Sequence, residues 1–522
     1  MKTLVVTGTL ACEIVRKYVE QAGVGAHVVC LPTQVAALMS VKYISNMLRS
    51  REISKYDMIL VPGLVAGDVS YIAHELGIST YKGPLHAADL LLVLQQLRKV
   101  RLSTTKPACE LLRESLKREA LKQLDVLQRK TRHPTTKTAG IQIGDRGRAI
   151  WIGTTYPPRL LAEIVDASRL PRTQLITKAR EFVRSGAEIV DLGMVAGGGN
   201  PSKAKSAVQV VRDAVSTPIS IDTTDPEEIR AAAEARADLI VSINAENMKE
   251  VSEFACDIPV VVTPADRREN CPTDVDKKIE QLERNLQRAR QLGFKKLIAD
   301  SILVPIFTPN LTESLVAYYR FRKRNPHIPI FFGAGNVTEL MDGDSIGTNL
   351  LLASIAYDLK ASIILTTEAS DKTLGCVREL RTSIDMAMIA RERNSPPKDL
   401  GLDLLVIKEK RRRDAYCEDP VGKYATEIPV RKKEFVYDPR GFFKVGLERS
   451  RNCIILTHYE YGRDKPDFLL RGKKALDICR TAIDNGLLSR SDHAAYLGIE
   501  LTKAEIALQT GKSYVQESPL LF

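Results

Sequence analysis

The sequence predicts an α/β protein: a central (β/α)8 TIM barrel, preceded by a Rossmann- or flavodoxin-like α/β domain and followed by a small α+β module. Three observations carry this. Eight short apolar runs recur between residues 140 and 394, each separated from the next by enough chain for a helix. Residues 1–97 alternate β-branched runs with amphipathic stretches, and residues 395–522 lose that rhythm. With 522 residues, 44% hydrophobic and 27% charged, the chain can bury more than one core, and its composition excludes a disordered, collagen-like or disulfide-stapled protein.

In the first domain, Leu4-Val-Val-Thr-Gly8 reads as a strand, followed by an amphipathic helix from Leu10 to Ala22. His27–Leu31 and Met58–Val61 are further strands, giving a β-α-β-α-β unit and a small parallel sheet. The loops Gly8-Thr9 and 62–68 lie where open α/β sheets bind ligands. Neither matches a phosphate-binding glycine motif, and tight turns in a docking domain are the plainer reading. Residues 98–139 form a basic helical linker. Between Arg98 and Lys137 there are 12 basic and 4 acidic residues, so much of the chain's +12 net charge is local. Its Leu111, Leu112, Leu116, Leu121, Leu124 and Leu127 share a face, as expected of a connecting helix packed on a neighbour.

The barrel is assigned to residues 140–394, with strands at Ala149–Ile152, Ile189–Leu192, Ile219–Ile221, Leu239–Ile243, Val260–Val262, Leu297–Ala299, Ile330–Phe332 and Ser362–Leu365. Thr224-Asp-Pro-Glu-Glu228 supplies a cap, an early Pro and first-turn acids for one intervening helix. Another runs over Asp276–Leu292 and stops at Gly293. Ser395-Pro-Pro-Lys398 marks the exit, and the charged run 408–413 follows. The last module, 395–522, shows at least two antiparallel strands and then two helices, the final one from Ser491 to Gly511. No catalytic constellation is visible in it.

The nine cysteines are scattered without a C-x-x-C pair or zinc-ligand spacing, so they are expected to be reduced thiols, and no metal site is assigned. The N-terminal apolar patch is too short for a signal-peptide core, and no run reaches the roughly 18 apolar residues of a membrane span. A cytoplasmic protein without a membrane role is expected.

Active sites of such barrels lie at the C-terminal strand ends. There the sequence places Thr154 and Thr155, Asp191, Asp222, Asn244, Thr263 and Asp266, Asp300, Asn336, and Thr366, Thr367 and Glu368. Any one of these could merely cap a helix. Asp222, Asn244 and Asp300 together suit the guanidine-like edge of a flat heterocycle, because carboxylates accept paired hydrogen bonds and an amide both donates and accepts.

The segments Ser185-Gly-Ala-Glu-Ile-Val-Asp191-Leu-Gly193, Pro218-Ile-Ser-Ile-Asp222-Thr-Thr and Ala237-Asp-Leu-Ile-Val-Ser-Ile-Asn244 resemble the pterin-binding barrel superfamily of dihydropteroate synthases and methyltetrahydrofolate:corrinoid methyltransferases. The domain layout resembles the archaeal proteins called dihydropteroate synthase-like. The resemblance covers mainly residues 170–340. It implies that Asp222, Asn244 and Asp300 bind the ring of a reduced pterin, of the tetrahydrofolate or tetrahydromethanopterin class, with Asp191 nearby.

Departures separate the branches. Where the synthases begin their barrel with an Asn-x-Thr-Pro-Asp-Ser-Phe loop that helps bind diphosphate, this chain has Ile152-Gly-Thr-Thr-Tyr-Pro-Pro158. Ser-Arg-Lys after strand seven is replaced by Gly333-Ala-Gly-Asn336-Val-Thr338, and Arg-x-His after strand eight by Leu365-Thr-Thr-Glu368. Asn336 matches the Asn-Val-Ser segment of the methyltransferases, whose Asn approaches N5 of the methylated pterin; Asn336 is the candidate catalytic residue. The reading therefore tilts towards methyl transfer from a methyl-tetrahydropterin in one-carbon metabolism, with synthase-like condensation and a non-catalytic pterin-binding scaffold as alternatives. The Asp-x-His-x-x-Gly corrinoid signature is absent, and Asp492-His493 has the wrong spacing. Cobalamin would thus come only through a partner corrinoid protein. A homodimer is compatible with this reading, and nucleic-acid binding through the basic segments ranks below the others.

Overall fold

The computed structural model describes residues 2–97, 101–132, 140–145, 147–266, 270–307, 310–398, 400–409, 426, 428–431, 434 and 436–520. The charged run at 408–413 falls largely outside them, as do the two ends of the basic linker. The chain divides into two compact units, residues 1–416 and 417–522.

The first unit opens with four parallel strands, β1 (Thr3–Gly8), β2 (Ala26–Leu31), β3 (Met58–Val61) and β4 (Ser79–Lys82), in the order β2-β1-β3-β4. This is a doubly wound half-sheet with one strand more than the sequence suggested. Ser79–Lys82 reads S-T-Y-K, with only alternate residues buried, and carries no apolar run. The helix Cys12–Ala22 covers one face and closes at Gly23 in the left-handed region. Cys12 and Cys30 form a disulfide, correcting the expectation that both are free thiols. The pairing is invisible in the sequence because it depends on helix and strand lying side by side.

The linker contains a 25-residue helix, Ala108–Arg132. Its Leu112 packs with Ala108 and Val93, and Ala120 and Leu124 join the barrel's helical layer. The leucine face is therefore a packing face, whereas Leu121 stays exposed.

The barrel is preceded by an antiparallel hairpin, β5 (Ile141–Ile143) and β6 (Ile150–Ile152). Its eight parallel strands are β7 (Arg159–Ile164), β8 (Ile189–Gly193), β9 (Ile219–Asp222), β10 (Leu239–Ile243), β11 (Val260–Val262), β12 (Leu297–Asp300), β13 (Ile330–Gly333) and β14 (Ile363–Thr367). β14 pairs with β7 and closes the cylinder. One expected strand is therefore corrected: Ala149–Ile152 belongs to the hairpin, and the first barrel strand is Arg159–Ile164. The apolar pattern favoured the wrong segment because R-L-L-A-E-I has an Arg at one end and a Glu near the other. Both have specific roles: Arg159 is tied to Glu188 (2.7 Å), and Glu163 reaches the mouth.

Ile143 and Ile152 of the hairpin pack with Leu161, Ile189, Val261 and Phe331 in the barrel interior, so the hairpin closes the floor. Thr154 and Thr155, expected at the mouth, precede β7 and so belong to the opposite end. Helix signals held well. Asp225 caps Pro226–Glu234 by accepting from the amides of Glu227 and Glu228, and Asp274 caps Val275–Gln291. Among the described residues, no helix is long and apolar enough to cross a membrane.

The second unit is a three-stranded antiparallel sheet, β15 (Phe442–Glu448), β16 (Cys453–Tyr459) and β17 (Phe468–Gly472), with helices Ala475–Asp484 and Ser491–Thr510. Phe443, Val445, Ile454 and Leu456 alternate onto the helical face and build its own core.

Candidate active site

Side chains alternate along each barrel strand, so the inward apolar layer fixes which polar groups stand above it. Leu161, Ile189, Ile298 and Leu365 point inward. Two residues on, Glu163, Asp191, Asp300 and Thr367 must do the same at the C-terminal end. On β9 the outward residues are Ile219 and Ile221, which leaves Ser220 and Asp222 inside. Of the residues read from the sequence, Asp191, Asp222 and Asp300 form one electrostatic group; Asn244 and Asn336 follow β10 and β13 on the same rim.

Glu163, Asp191 and Asp222 lie with one carboxylate oxygen each inside a 4.8 Å cluster. The register explains their meeting. Glu163 is opposite Asp191, and Gly193 is opposite Asp222. A Cβ at Gly193 would overlap Glu163 Oε1, so the missing side chain at 193 makes room for the carboxylate. Glu163 was not among the sequence candidates. The signal that could have found it is a carboxylate in the inward phase of R-L-L-A-E-I.

Each of the three aspartates is held by one oxygen. Asp191 Oδ1 accepts from Ser220 Oγ at 2.5 Å, and Asp222 Oδ1 accepts from Ser242 Oγ at 2.6 Å. Asp300 Oδ1 takes the Tyr318 hydroxyl at 2.5 Å and the Ile302 amide at 2.8 Å. Asp191 is fully buried, and its Oδ2 has no partner among the described residues. Burial, then the charges of Asp222 and Glu163, hold the Asp191 carboxyl well above the carboxylate range. Burial likewise raises Asp222. It takes Glu163 to about 7, helped by Asp222, Glu339 and Asp166, and Asp300 to about 6 against the lowering bonds from Tyr318 and Ile302. Three carboxylates this close must share protons or a cation, and these are the residues that could hold a metal ion.

The backbone bends to serve this arrangement. Ser242, within β10, has φ +70°, and Ile302, just after β12, has φ +59°. The register of β10 against β11 shifts between Ile240 and Ile243. Non-glycine residues in this region are strained and cluster at sites of function. Here the twist at 242 accompanies the Ser242 hydroxyl bond to Asp222.

Asn244 is buried, and its Oδ1 is consumed by the amides of Glu246 (2.8 Å) and Asn247 (3.2 Å). It can therefore offer a ligand only its amide donor, whereas the sequence suggested both donor and acceptor. Asn247, missed in the sequence, fixes this turn by accepting from the Asn244 amide (3.0 Å) and donating to the Thr224 and Ser242 carbonyls (each 3.1 Å). Asn336 sits exposed at the rim, donating through Nδ2 to Leu303 O at 2.9 Å. Glu368 accepts from the Val377 amide at 3.0 Å and is raised by burial; it serves the start of the next helix. Asn285 braces the rim after β11 by donating to the Thr263 and Ala265 carbonyls (2.8 and 3.0 Å). In the second unit, His493 is buried with Nε2 2.8 Å from Val436 O, so that nitrogen is not open to a metal.

A family model described as pterin binding enzyme matches residues 166–364, which span most of this closed eight-stranded barrel. PterinBD-DUF4346 matches residues 437–517, and a family of unknown function, DUF6513, matches residues 2–85. The chain belongs to the family of the uncharacterized protein MJ0107 of Methanocaldococcus jannaschii. The two are 35% identical over 541 residues, covering 100% of this chain and 99% of that protein. Among solved structures, the dihydropteroate synthase of Yersinia pestis is 18% identical with a TM-score of 0.38, covering 48% of this chain and 98% of that one. That of Xanthomonas albilineans, in complex with indole-2-carboxylic acid and 6-chloroguanine, is 15% identical with a TM-score of 0.40 over the same shares.

Proposed function

We propose that the chain is a transferase acting on a reduced pterin of the tetrahydrofolate or tetrahydromethanopterin class, and that the group moved is the methyl of a methyl-tetrahydropterin. Asp300 Oδ2 and Asp222 would accept from the donor-rich edge of the ring, and the Asn244 Nδ2 group, its oxygen being consumed, would donate to a ring acceptor beside it. The observation that carries the reading is the central carboxyl cluster, with Glu163 titrating near neutrality. When the N5–methyl bond breaks, its electron pair stays on N5, which must take a proton. Glu163, still largely protonated below about pH 7, is the proton source at the mouth. Asn336, with Nδ2 committed to Leu303, keeps Oδ1 to accept from the protonated N5, a bond that strengthens as the methyl leaves. The methyl acceptor would be the cobalt of a corrinoid borne by a partner protein.

A carboxyl-rich mouth also repels a diphosphate ester, which counts against condensation. The segment that in fact follows the first strand, Glu163-Ile-Val-Asp-Ala-Ser168, lacks the Asn-x-Thr-Pro-Asp-Ser-Phe pattern too. One observation favours the condensing alternative: Glu163, Asp191 and Asp222 lie close enough together to hold a divalent cation, which would reverse that repulsion.

Calorimetric titration with a methyl-tetrahydropterin and, separately, a hydroxymethyl-dihydropterin diphosphate, each with and without Mg²⁺, tests the choice, with Asp300→Asn as control. Preference for the methylated ligand is expected. Preference for the diphosphate, restored by Mg²⁺, would replace methyl transfer with condensation. For Asn336→Ala, single-turnover methyl transfer should slow more than binding weakens; equal losses would reduce Asn336 to a ring contact.

A further inference from the structure

We propose that the floor end of the barrel carries a second, separate site: an arginine cleft that binds a phosphate dianion, free or as a phosphomonoester. The cleft, about 550 Å³, lies where the C-terminal turns of two helices meet the hairpin turn. Helix Arg172–Arg184 contributes Arg180 and Arg184, helix Pro201–Ala214 contributes Arg212, and the turn between β5 and β6 contributes Arg148. A recess of about 400 Å³ shares Arg148 and Ser216 with it and adds Thr217.

Part of this arrangement has a plain structural explanation. Arginines at helix C-termini satisfy the last carbonyls and complement the dipole. Arg148 Nη2 donates to Arg212 O (2.8 Å), Arg180 Nε to Ala214 O (3.4 Å) and Arg184 Nε to Arg180 O (3.3 Å). Arg212 is also neutralised, by Asp238 at 3.2 Å and Asp145 at 3.4 Å. Capping does not account for two other groups. Arg148 Nη1 and Thr217 Oγ1 are both buried without a partner among the described residues, and both belong to residues lining the recess. Buried donors left unmet are rare, and a buried guanidinium N–H is the costliest kind.

The charge balance favours an anion. Arg148, Arg180, Arg184 and Arg212 bring four positive charges against Asp213 in the wall and Asp145 and Asp238 on Arg212, while Glu188 of the recess is met by Arg159. A surplus of one is left. Guanidinium forks, a serine and an unpaired threonine hydroxyl suit the oxygens of a phosphate dianion. This end faces away from the carboxyl cluster, so the inference stands whether or not the pterin reading does.

The test is calorimetric titration of the full chain with inorganic phosphate and with glycerol 3-phosphate, glycerol serving as the uncharged control, at ionic strength fixed with sodium chloride. Saturable binding of either phosphate is expected. Binding of the ester alone would assign the site to a phosphomonoester, and binding of the free ion to phosphate itself. Arg180 and Arg184 are exposed, so R180A/R184A should fold, as circular dichroism would verify. It should weaken binding by about tenfold or more, as expected when two charge-assisted contacts go. D300N, at the other end, should leave phosphate binding unchanged. No binding, binding abolished by salt matching, or binding lost in D300N but kept in R180A/R184A would each overturn the proposal.

Discussion

At the scale of single residues, the site depends on oxygens that are half used. Asp300 keeps Oδ1 for Tyr318 and Ile302, so Asp300→Asn should preserve the local bracing better than it preserves charge. Pterin affinity is expected to fall by roughly ten- to hundredfold, the equivalent of about 1.5–3 kcal/mol for a charge-assisted hydrogen bond, with melting temperature little changed. Unchanged affinity in a binding titration would remove Asp300 from the site. Glu163 gives a pH prediction with a definite sign. Its folded pKa, about 7, lies above the ordinary glutamate value of 4.5. Its contribution to stability is therefore full below about pH 4.5 and is lost as pH rises through 7. Glu163→Gln should flatten that part of the stability curve and raise stability at pH 8 by about 1–3 kcal/mol. Denaturant melts of both proteins from pH 4.5 to 8 would show it, and parallel curves would mean that the cluster sheds its charge elsewhere.

At the scale of elements, the mouth depends on β7, β8 and β9 keeping their register. Gly193→Ala should push Glu163 out of the cluster without backbone strain, because the nearest atoms a new Cβ would meet are those of the Glu163 side chain. A loss of about 1–3 kcal/mol is expected for such overpacking, and Glu163→Gln would relieve little of it, whereas Glu163→Ala in the same chain should recover most. This couple also shows what the sequence could reveal. Seven of the eight barrel strands were legible because apolar runs followed by Asp, Asn or Thr mark buried strands that end at a mouth. The first was hidden because its Arg and Glu broke the run while a nearby hairpin, I-W-I, imitated it. Asp191, Asp222 and Asp300 could be named from their strand-end positions. Glu163 left only the trace of a carboxylate in the inward phase of a strand that the hairpin masked, and Ser242, Asn247 and Tyr318 left none, since their roles come from a left-handed backbone and contacts between elements.

At the scale of the whole molecule, the chain is built from cores whose fully buried residues are distinct. The barrel has separate outer and inner layers, and the sheet of residues 442–472 packs on its own two helices. A fragment spanning 436–522 should therefore fold alone and unfold cooperatively on heating; a featureless melt would show that it needs the rest of the chain. The hairpin at the barrel floor bears on any attempt to shorten the protein. The first strand starts at Arg159, and a cut there would look harmless on a strand count. It would instead uncork the cylinder, letting water reach Leu161, Ile189, Val261 and Phe331 from below. A chain begun near residue 140 keeps this stopper, although it forgoes the cover that Ala120 and Leu124 give the barrel's outer layer.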